Sequence, residues 1–289
     1  MAGNSAPAEK PRRGLQGLLP RLVTAGVLGP LVVAEILMPS MAPVLAATLL
    51  AAVVLAAREW ARLTGITLPR QQWLYALAAL ALAVALHTVL PTGARRLVLA
   101  GGVVFGWVGL AAWLVQHSQR LPLPVIGQRW ALALGLFVLT PFFLGAMWMK
   151  ELDARWLLAA ALLIWAADSL AYFVGHALGR HRLAPALSPG KTWEGACGAL
   201  LGAPLITAGI CVVMPEMRPK AFALLGLCVA TVGISIVGDL LKSLLKRTAG
   251  VKDSGTLLPG HGGVLDRIDS LTAAFPMFYL GVSFLGSAA

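Results

Sequence analysis

The stretch from Ser243 to Ser270 concentrates side chains of both charges in a chain that is otherwise mostly apolar. Paired carboxylates, together with water, commonly hold Mg²⁺, which in turn binds phosphate oxygens. Lysine and arginine neutralise further phosphate charge, and glycine pairs let backbone N–H groups approach an anion. The residues with this potential are Lys246, Arg247, Lys252, Asp253, His261, Gly262, Gly263, Asp266, Arg267 and Asp269. Their types indicate a site for phosphate groups.

A polar stripe on a predicted helix leads into this stretch. Four polar residues recur at i, i+3, i+4 and i+7, the spacing of one helix face: Asp239, Lys242, Ser243 and Lys246. Leucines take the opposite face. An ordinary amphipathic helix that leaves the membrane would show the same pattern, so the stripe is informative only together with its neighbours.

An acid also lies within an earlier predicted span. Asp168 is followed on nearly the same helix face by Tyr172, Gly175 and Gly179. Acids inside a membrane face the bundle interior or a water-filled cavity. The glycines alone could serve helix packing, but packing does not explain Asp168.

The segment L-S-P-G-K-T-W-E-G begins at residue 187. Ser188 followed by Pro189 fits the N-cap and first position of a helix. Lys191 in the first turn would then face a phosphate at the helix N-terminus. The same turns contain Thr192 and Glu194. The letters G-K-T match the end of a P-loop, but the upstream glycines and strand are missing, so a P-loop is excluded.

These four elements together combine carboxylates, cationic side chains and glycine turns. That combination predicts metal-assisted phosphoryl or nucleotidyl transfer, in which positioning and charge neutralisation dominate.

The composition identifies the surroundings of the site. Of the 289 residues 58% are apolar and only 12% are charged, with a mean hydropathy of +0.82, whereas a soluble domain is usually about one-quarter charged. A membrane-spanning helix needs about 20 apolar residues. We therefore predict an all-α, polytopic membrane bundle whose basic start enters an uncleaved first span. The nine predicted spans are 22–38, 41–57, 72–90, 97–116, 130–149, 156–175, 193–214, 221–241 and 270–287. The first two are short, so a re-entrant pair stays open as an alternative for them.

The distribution of basic residues predicts the orientation. With the N-terminus inside, 17 of the 23 Lys and Arg residues fall in inner segments and six in outer ones. The positive-inside rule then places the N-terminus and the charged stretch in the cytoplasm. The net charge of +11 fits loops that face anionic lipid, and no motif points to nucleic acid. We predict an N-terminal scaffold, 1–150, and a catalytic region, 151–289, with cytoplasmic loops 176–192 and 242–269.

The charged stretch resembles the signature of the phosphatidate cytidylyltransferases, also called CDP-diacylglycerol synthases. The run S-x-x-K-R-x-x-x-x-K-D from residue 243, and L-P-x-H-G-G-x-x-D-R-x-D from residue 258, match at fixed spacing. Further matches are G-D at 238–239, D-S-x-A-Y at 168–172 and S-P-x-K-T-x-E-G at 188–195. The resemblance implies that CTP and phosphatidic acid give CDP-diacylglycerol and pyrophosphate in phospholipid biosynthesis. It also implies Mg²⁺, with or without a second cation, a homodimer, and a multi-pass place in the bilayer; the compact length favours a bacterial inner membrane.

The resemblance further implies roles for individual residues. Asp239 and Asp266 would be the metal ligands. The catalytic set would add the basic residues Lys246, Arg247 and Arg267. The implied substrate-binding residues are Asp168, Ser188, Lys191, Thr192, Glu194, Ser243, Lys252, Asp253, His261, Gly262, Gly263 and Asp269, with Asp168, Lys191 and Glu194 on the CTP side.

One position departs from the family's pattern, and other functions stay open. Gly190 stands where the family commonly has a second lysine, so one phosphate contact would be absent. A cation-coupled transporter also places acids in its spans, but it would spread them through the bilayer and repeat them in two halves. Another CTP-using lipid enzyme, such as a polyprenol or dolichol kinase or a CDP-archaeol synthase, fits the same residue types. An inactive scaffold fits less well, because all candidate polar residues are present.

Overall fold

A computed structural model describes residues 29–119, 121–255, 257 and 262–286. After a helical segment at 29–37, the first helices are α1 (Ala42–Leu63), α2 (Pro69–Val89), α3 (Thr92–Gly101), α4 (Val108–His117), α5 (Gln128–Leu152) and α6 (Ala154–Leu178). Two strands follow, β1 (Arg182–Ala184) and β2 (Ser188–Thr192). The last helices are α7 (Trp193–Leu200), α8 (Gly202–Val213), α9 (Ala221–Thr248) and α10 (Leu265–Gly286). Short 3₁₀ helices precede α1 and α9, and a π-helical turn, Gly102–Trp107, joins α3 to α4.

Seven helical segments in the described ranges are long and apolar enough to cross a membrane. They are Pro39–Leu63, Pro69–Val89, Gln128–Leu152, Ala154–Leu178, Trp193–Val213, Pro215–Thr248 and Leu265–Leu285. The predicted span at 97–116 coincides with α3, the π-helical turn and α4, and the predicted span at 22–38 lies partly outside the described residues. A multi-pass helical membrane protein is confirmed, while the count of nine and the orientation stay predictions.

The exposed surface is apolar in the way that a bilayer requires. Large apolar side chains point outward, including Phe222 at 91% exposure and Val212 at 71%. Helices α5 and α10 form the centre of the bundle. In each of these two spans 67% of the apolar stretch is buried inside the protein, against 22% in the spans of α1 and α2. The charged residues of α10 therefore lie in the first turns of a central helix.

Helices α9 and α10 approach each other closely at Gly238. A Cβ at this position would lie 2.8 Å from the backbone oxygen of Asp269 and 3.1 Å from the Cβ of Ala273. A small residue lets the two backbones come this near. Because Asp239 is the next residue, the close approach brings the acids of α9 and α10 together.

A β-hairpin between α6 and α7 corrects two expectations. Strands β1 and β2 pair antiparallel, with Ala184 opposite Ser188, so the chain is not purely α-helical. Ser188 belongs to β2 and is not a helix cap. The N-cap of α7 is Thr192, whose Oγ1 accepts the N–H of Gly195 at 3.1 Å. Strand pairing satisfies the backbone over these residues and delays the helix by about one turn.

The predicted cytoplasmic loops are shorter than expected. Helix α9 continues to Thr248 and α10 begins at Leu265, so the predicted loop 242–269 becomes a connection of residues 249–264. Helix α6 likewise extends to Leu178, into the predicted loop 176–192. The extension of α9 is packed, since its last turns bury Leu240, Leu241, Leu244 and Leu245.

Candidate active site

The ammonium group of Lys242 is the centre of a cluster of charged side chains. Its Nζ lies 3.1 Å from Oδ1 of Asp239 and 3.7 Å from Oδ1 of Asp266, and it also pairs with Asp269. The Lys242 side chain is only 9% exposed and that of Asp266 only 8%. Such burial costs several kcal/mol per ion unless partners compensate it. The convergence of three carboxylates on one ammonium provides that compensation.

Two further lysines complete the cluster. Lys191, at the end of β2, pairs with Asp239. Lys246, one turn after Lys242, places its Nζ 2.8 Å from Oδ1 of Asp266. The cluster thus contains three lysines and three aspartates, so its formal charge is zero. The shared polar face predicted on α9 is confirmed for three of its four residues, because Asp239, Lys242 and Lys246 all lie in this cluster.

The connection between α9 and α10 fixes the other oxygen of Asp266. The backbone N–H groups of Ser254 and Gly263 donate to its Oδ2 at 2.8 and 3.2 Å. Ser254 Oγ lies 3.0 Å from the same oxygen. Gly262 has φ +79°, a left-handed conformation that favours glycine. Oδ2 is therefore held by the connection, and Oδ1 faces the lysines.

A cavity of about 540 Å³ opens beside the cluster, a size typical of ligand sites. Lys191 and Asp239 form part of its wall, as does Gly190. The face predicted on α6 also lines it, through Asp168, Tyr172, Gly175 and Gly179. The cluster therefore has access to a space that can admit a ligand.

The glycines of α6 also serve packing. A Cβ at Gly175 would lie 3.2 Å from Oγ1 of Thr192, so the hairpin and α7 approach α6 closely there. Packing and lining of the cavity are thus both correct interpretations of this face.

Two predicted site residues hold the hairpin instead of facing the cavity. Glu194 accepts the backbone N–H groups of Arg180 and His181 at 3.1 and 3.2 Å, and its Oε1 lies 2.7 Å from Nδ1 of His181. Arg247 donates from Nε to the carbonyl oxygen of Leu187 at 3.2 Å. These contacts anchor both ends of the hairpin to the helices.

The remaining predicted residues differ in burial. Ser243 is half-buried on α9 and Ser188 is half-buried in β2. Lys252, Asp253 and Arg267 are exposed, and His261 lies outside the described residues.

Sequence reasoning missed one acid that contacts this region. Glu59 of α1 accepts hydrogen bonds from the connection before α10, although about 200 residues separate the two in sequence. The only available signal was its position near the end of an apolar span, where acids tend to be functional. That signal applied equally to Glu35, so it could not single out Glu59.

Fold and site together define a multi-pass helical membrane protein with a buried, charge-neutral cluster beside a polar cavity. The chain belongs to the cytidylyltransferase family, whose family model matches residues 19–285. It is therefore an enzyme of the nucleotidyltransferase class.

Three bacterial relatives illustrate the similarity, and each is named phosphatidate cytidylyltransferase. The protein from Pseudomonas aeruginosa is 42% identical over 236 residues, which cover 79% of this chain and 83% of the relative. The Haemophilus influenzae protein is 53% identical over 128 residues, or 42% of this chain and 43% of the relative. The Bacillus subtilis protein is 38% identical over 138 residues, or 48% and 51%. The family resemblance drawn from the signature is confirmed.

Proposed function

We propose that this enzyme transfers the cytidylyl group of CTP to phosphatidic acid and releases pyrophosphate. The names of the three relatives support both substrates. The observation that carries the proposal is the position of the charge cluster, where Lys191 and Asp239 belong both to the cluster and to the wall of the cavity. A triphosphate in the cavity would thus lie beside the ammonium group of Lys191, which the cluster connects through Asp239 to Lys242.

The reaction would form one bond and break one. A phosphate oxygen of phosphatidic acid attacks the α-phosphorus of CTP, and the bond between the α-phosphorus and the bridging oxygen to the β-phosphate breaks. The electron pair of that bond leaves with pyrophosphate. A phosphate monoester is largely ionised at neutral pH, so the attack needs no strong general base. The task of the protein is positioning and charge neutralisation.

The lysines would exchange partners when substrates bind. Lys191 is 31% exposed at the cavity wall, so it can turn toward a phosphate at little desolvation cost. Lys246 is more buried, with a side chain that is 15% exposed. It would bind a phosphate only after a metal ion has replaced it as the partner of Asp266. In the free enzyme the aspartates hold both ammonium groups in place, which lowers the ordering cost of binding.

The carboxylates fit a divalent cation. Asp239 and Asp266 each direct Oδ1 toward the same ammonium group, that of Lys242. Mg²⁺ commonly takes one or two carboxylates and completes its shell with water and substrate phosphates. In the described ranges no three histidine, cysteine or acidic side chains are grouped as a metal site, so the proposal depends on these two carboxylates. Asp239 and Asp266 would hold Mg²⁺, which when bound draws charge off the leaving pyrophosphate.

The site would face the cytoplasm of a bacterial inner membrane. The excess of basic residues in the predicted inner segments supports this orientation. The acyl chains of phosphatidic acid keep this substrate in the bilayer, while CTP arrives from water. A homodimer, expected from the resemblance, is part of the same proposal.

Product analysis with purified enzyme tests this function. Enzyme in detergent is given CTP, phosphatidic acid and Mg²⁺, and the lipids are separated. We expect CDP-diacylglycerol, with Asp239→Asn and Asp266→Asn each lowering turnover at least about a hundredfold, equivalent to about 2.7 kcal/mol. Asp153→Asn is the matched control, because Asp153 pairs with Arg155 at the start of α6, and it should stay within twofold of wild type. Absence of CDP-diacylglycerol would refute the function, and near-normal rates in the two variants would refute the site.

A further inference from the structure

Glu59 connects a helix of the N-terminal half to the start of α10. Its Oε1 accepts the N–H of Val264 at 3.0 Å, and its Oε2 accepts the N–H of Leu265 at 2.9 Å. The first N–H groups of a helix have no partner inside the helix, and a negative charge there is favourable. Glu59 therefore caps α10 from outside, one residue before Asp266.

Ser254 links Glu59 to Asp266. Its Oγ lies 2.7 Å from Oε2 of Glu59 and 3.0 Å from Oδ2 of Asp266. A hydroxyl has one proton, so it donates to one of the two carboxylates at a time. The backbone N–H of Ser254 also donates to Oδ2 of Asp266, at 2.8 Å, so the hydroxyl can donate to Glu59 while Ser254 still holds Asp266. Arg62, one turn after Glu59, donates to the carbonyl oxygen of Ser254. Both side chains of α1 thus hold the same residue of the connection.

The connection closes tightly around the Glu59 carboxylate. A Cβ at either Gly255 or Gly263 would overlap its oxygens, and both glycines are buried along with Ser254. A side chain at either glycine would therefore have to displace the Glu59 carboxylate. The position of the carboxylate and that of the backbone at Gly255 and at Gly263–Leu265 therefore depend on each other.

We propose that Glu59 is a positioning residue for the reaction and acts through Ser254 and Asp266. It fixes the start of α10 and the carboxylate Oδ2 of Asp266, so that Oδ1 keeps its direction toward Lys242 and Lys246. This inference rests on the proposed function, in which Asp266 holds the cation. The active site would then include a residue of α1, although the sequence predicted that all of its residues lie in the C-terminal half.

The first test is the variant Glu59→Gln, which keeps the size of the side chain but replaces an acceptor oxygen by a donor NH₂ group. Supporting partners of metal ligands typically contribute about 10- to 100-fold to affinity or activity. We expect turnover per folded enzyme to fall at least about tenfold and the Mg²⁺ concentration for half-maximal activity to rise. Glu35→Gln is the matched control, because Glu35 is a buried acid that faces Thr48. Turnover of Glu59→Gln within twofold of wild type would overturn the proposal.

A double-mutant cycle separates positioning from a general loss of stability. If Glu59 acts through Ser254, then Glu59→Gln with Ser254→Ala should be about as slow as Glu59→Gln alone, because coupled residues are not additive. Fully multiplicative losses would contradict the route through Ser254. If Glu59→Gln does not yield folded protein, Ser254→Ala decides alone: a loss of threefold or more at unchanged thermal stability supports the proposal, and a wild-type rate overturns it.

Hydrogen exchange gives a readout that does not depend on the reaction. In Glu59→Gln the amides of Val264 and Leu265 should exchange at least about tenfold faster than in wild type, while Glu35→Gln leaves them unchanged. Equal protection in Glu59→Gln and wild type would show that Glu59 does not hold the connection. If wild-type enzyme forms no CDP-diacylglycerol, the proposed function fails, and the exchange result still decides whether Glu59 positions Asp266.

Discussion

Replacing Lys242 by methionine would remove the centre of the charge cluster while keeping a side chain of similar length. Asp239 would retain Lys191, and Asp266 would retain Lys246. Asp269 would lose its ion pair with Lys242. One carboxylate, 12% exposed, would thus lose the ion pair that it makes in the described part of the chain.

The size of the effect follows from that count of partners. Breaking a buried ion pair by removing one member costs about 3–5 kcal/mol. Two of the three carboxylates keep a lysine, so we expect the lower end, about 3 kcal/mol. For a protein of this size that corresponds to a fall in melting temperature of at least about 5 °C. Adding Asp269→Asn removes the stranded charge and should recover at least half of the loss.

The assay is thermal unfolding in detergent, followed by tryptophan fluorescence and by the monodisperse fraction on size exclusion. Lys220→Met is the control, since Lys220 donates to the backbone oxygen of Leu285 and should cost less than a third as much. The reasoning is refuted if Lys242→Met melts at the wild-type temperature. It is also refuted if the double variant with Asp269→Asn is less stable than Lys242→Met alone.

Three smaller predictions concern the elements around the cluster. Gly238→Leu should push α9 away from α10 and lower turnover more than tenfold, with Gly238→Ala in between; a normal rate in the leucine variant would argue against the close approach. Thr192→Val removes the cap of α7 and should cost about 1 kcal/mol in thermal unfolding, whereas Thr192→Ser should not. The side-chain hydrogen bond from Arg155 holds the pKa of Asp153 below its usual range. Its contribution to stability is therefore present above the ordinary aspartate pKa and is lost as the pH falls through the lowered one. Asp153→Asn should abolish this dependence, which is below about 1 kcal/mol because the pair is partly exposed.

Local periodicity was sufficient to predict the helices that carry the site. The stripe on α9 was visible because helical residues three, four and seven apart share a face, and the face of α6 was visible for the same reason. Both predictions depend only on neighbours within one helix. Asp239 is the residue of the α9 stripe that lines the cavity, and the size and other walls of the cavity depend on tertiary contacts that local periodicity does not predict.

Two features could not be derived in this way because tertiary contacts determine them. Ser188 has the chemistry of an N-cap, but pairing with β1 places it in a strand and passes the cap to Thr192. Glu59 contacts residues 195 to 206 positions away, and no local pattern marks it among the acids of the first spans. The signature identified the family, but the support that α1 gives to Asp266 required the structure.

The position of the label transferred from CTP tests the central proposal most directly. Enzyme with phosphatidic acid is given CTP labelled at either the α- or the γ-phosphate, with a polyprenol present as a competing acceptor. Cytidylyl transfer predicts that the α-label enters the lipid fraction as CDP-diacylglycerol and that the γ-label leaves as pyrophosphate. Transfer of γ-label to lipid, with no α-label in the lipid fraction, would contradict cytidylyl transfer and identify a phosphoryl transfer instead.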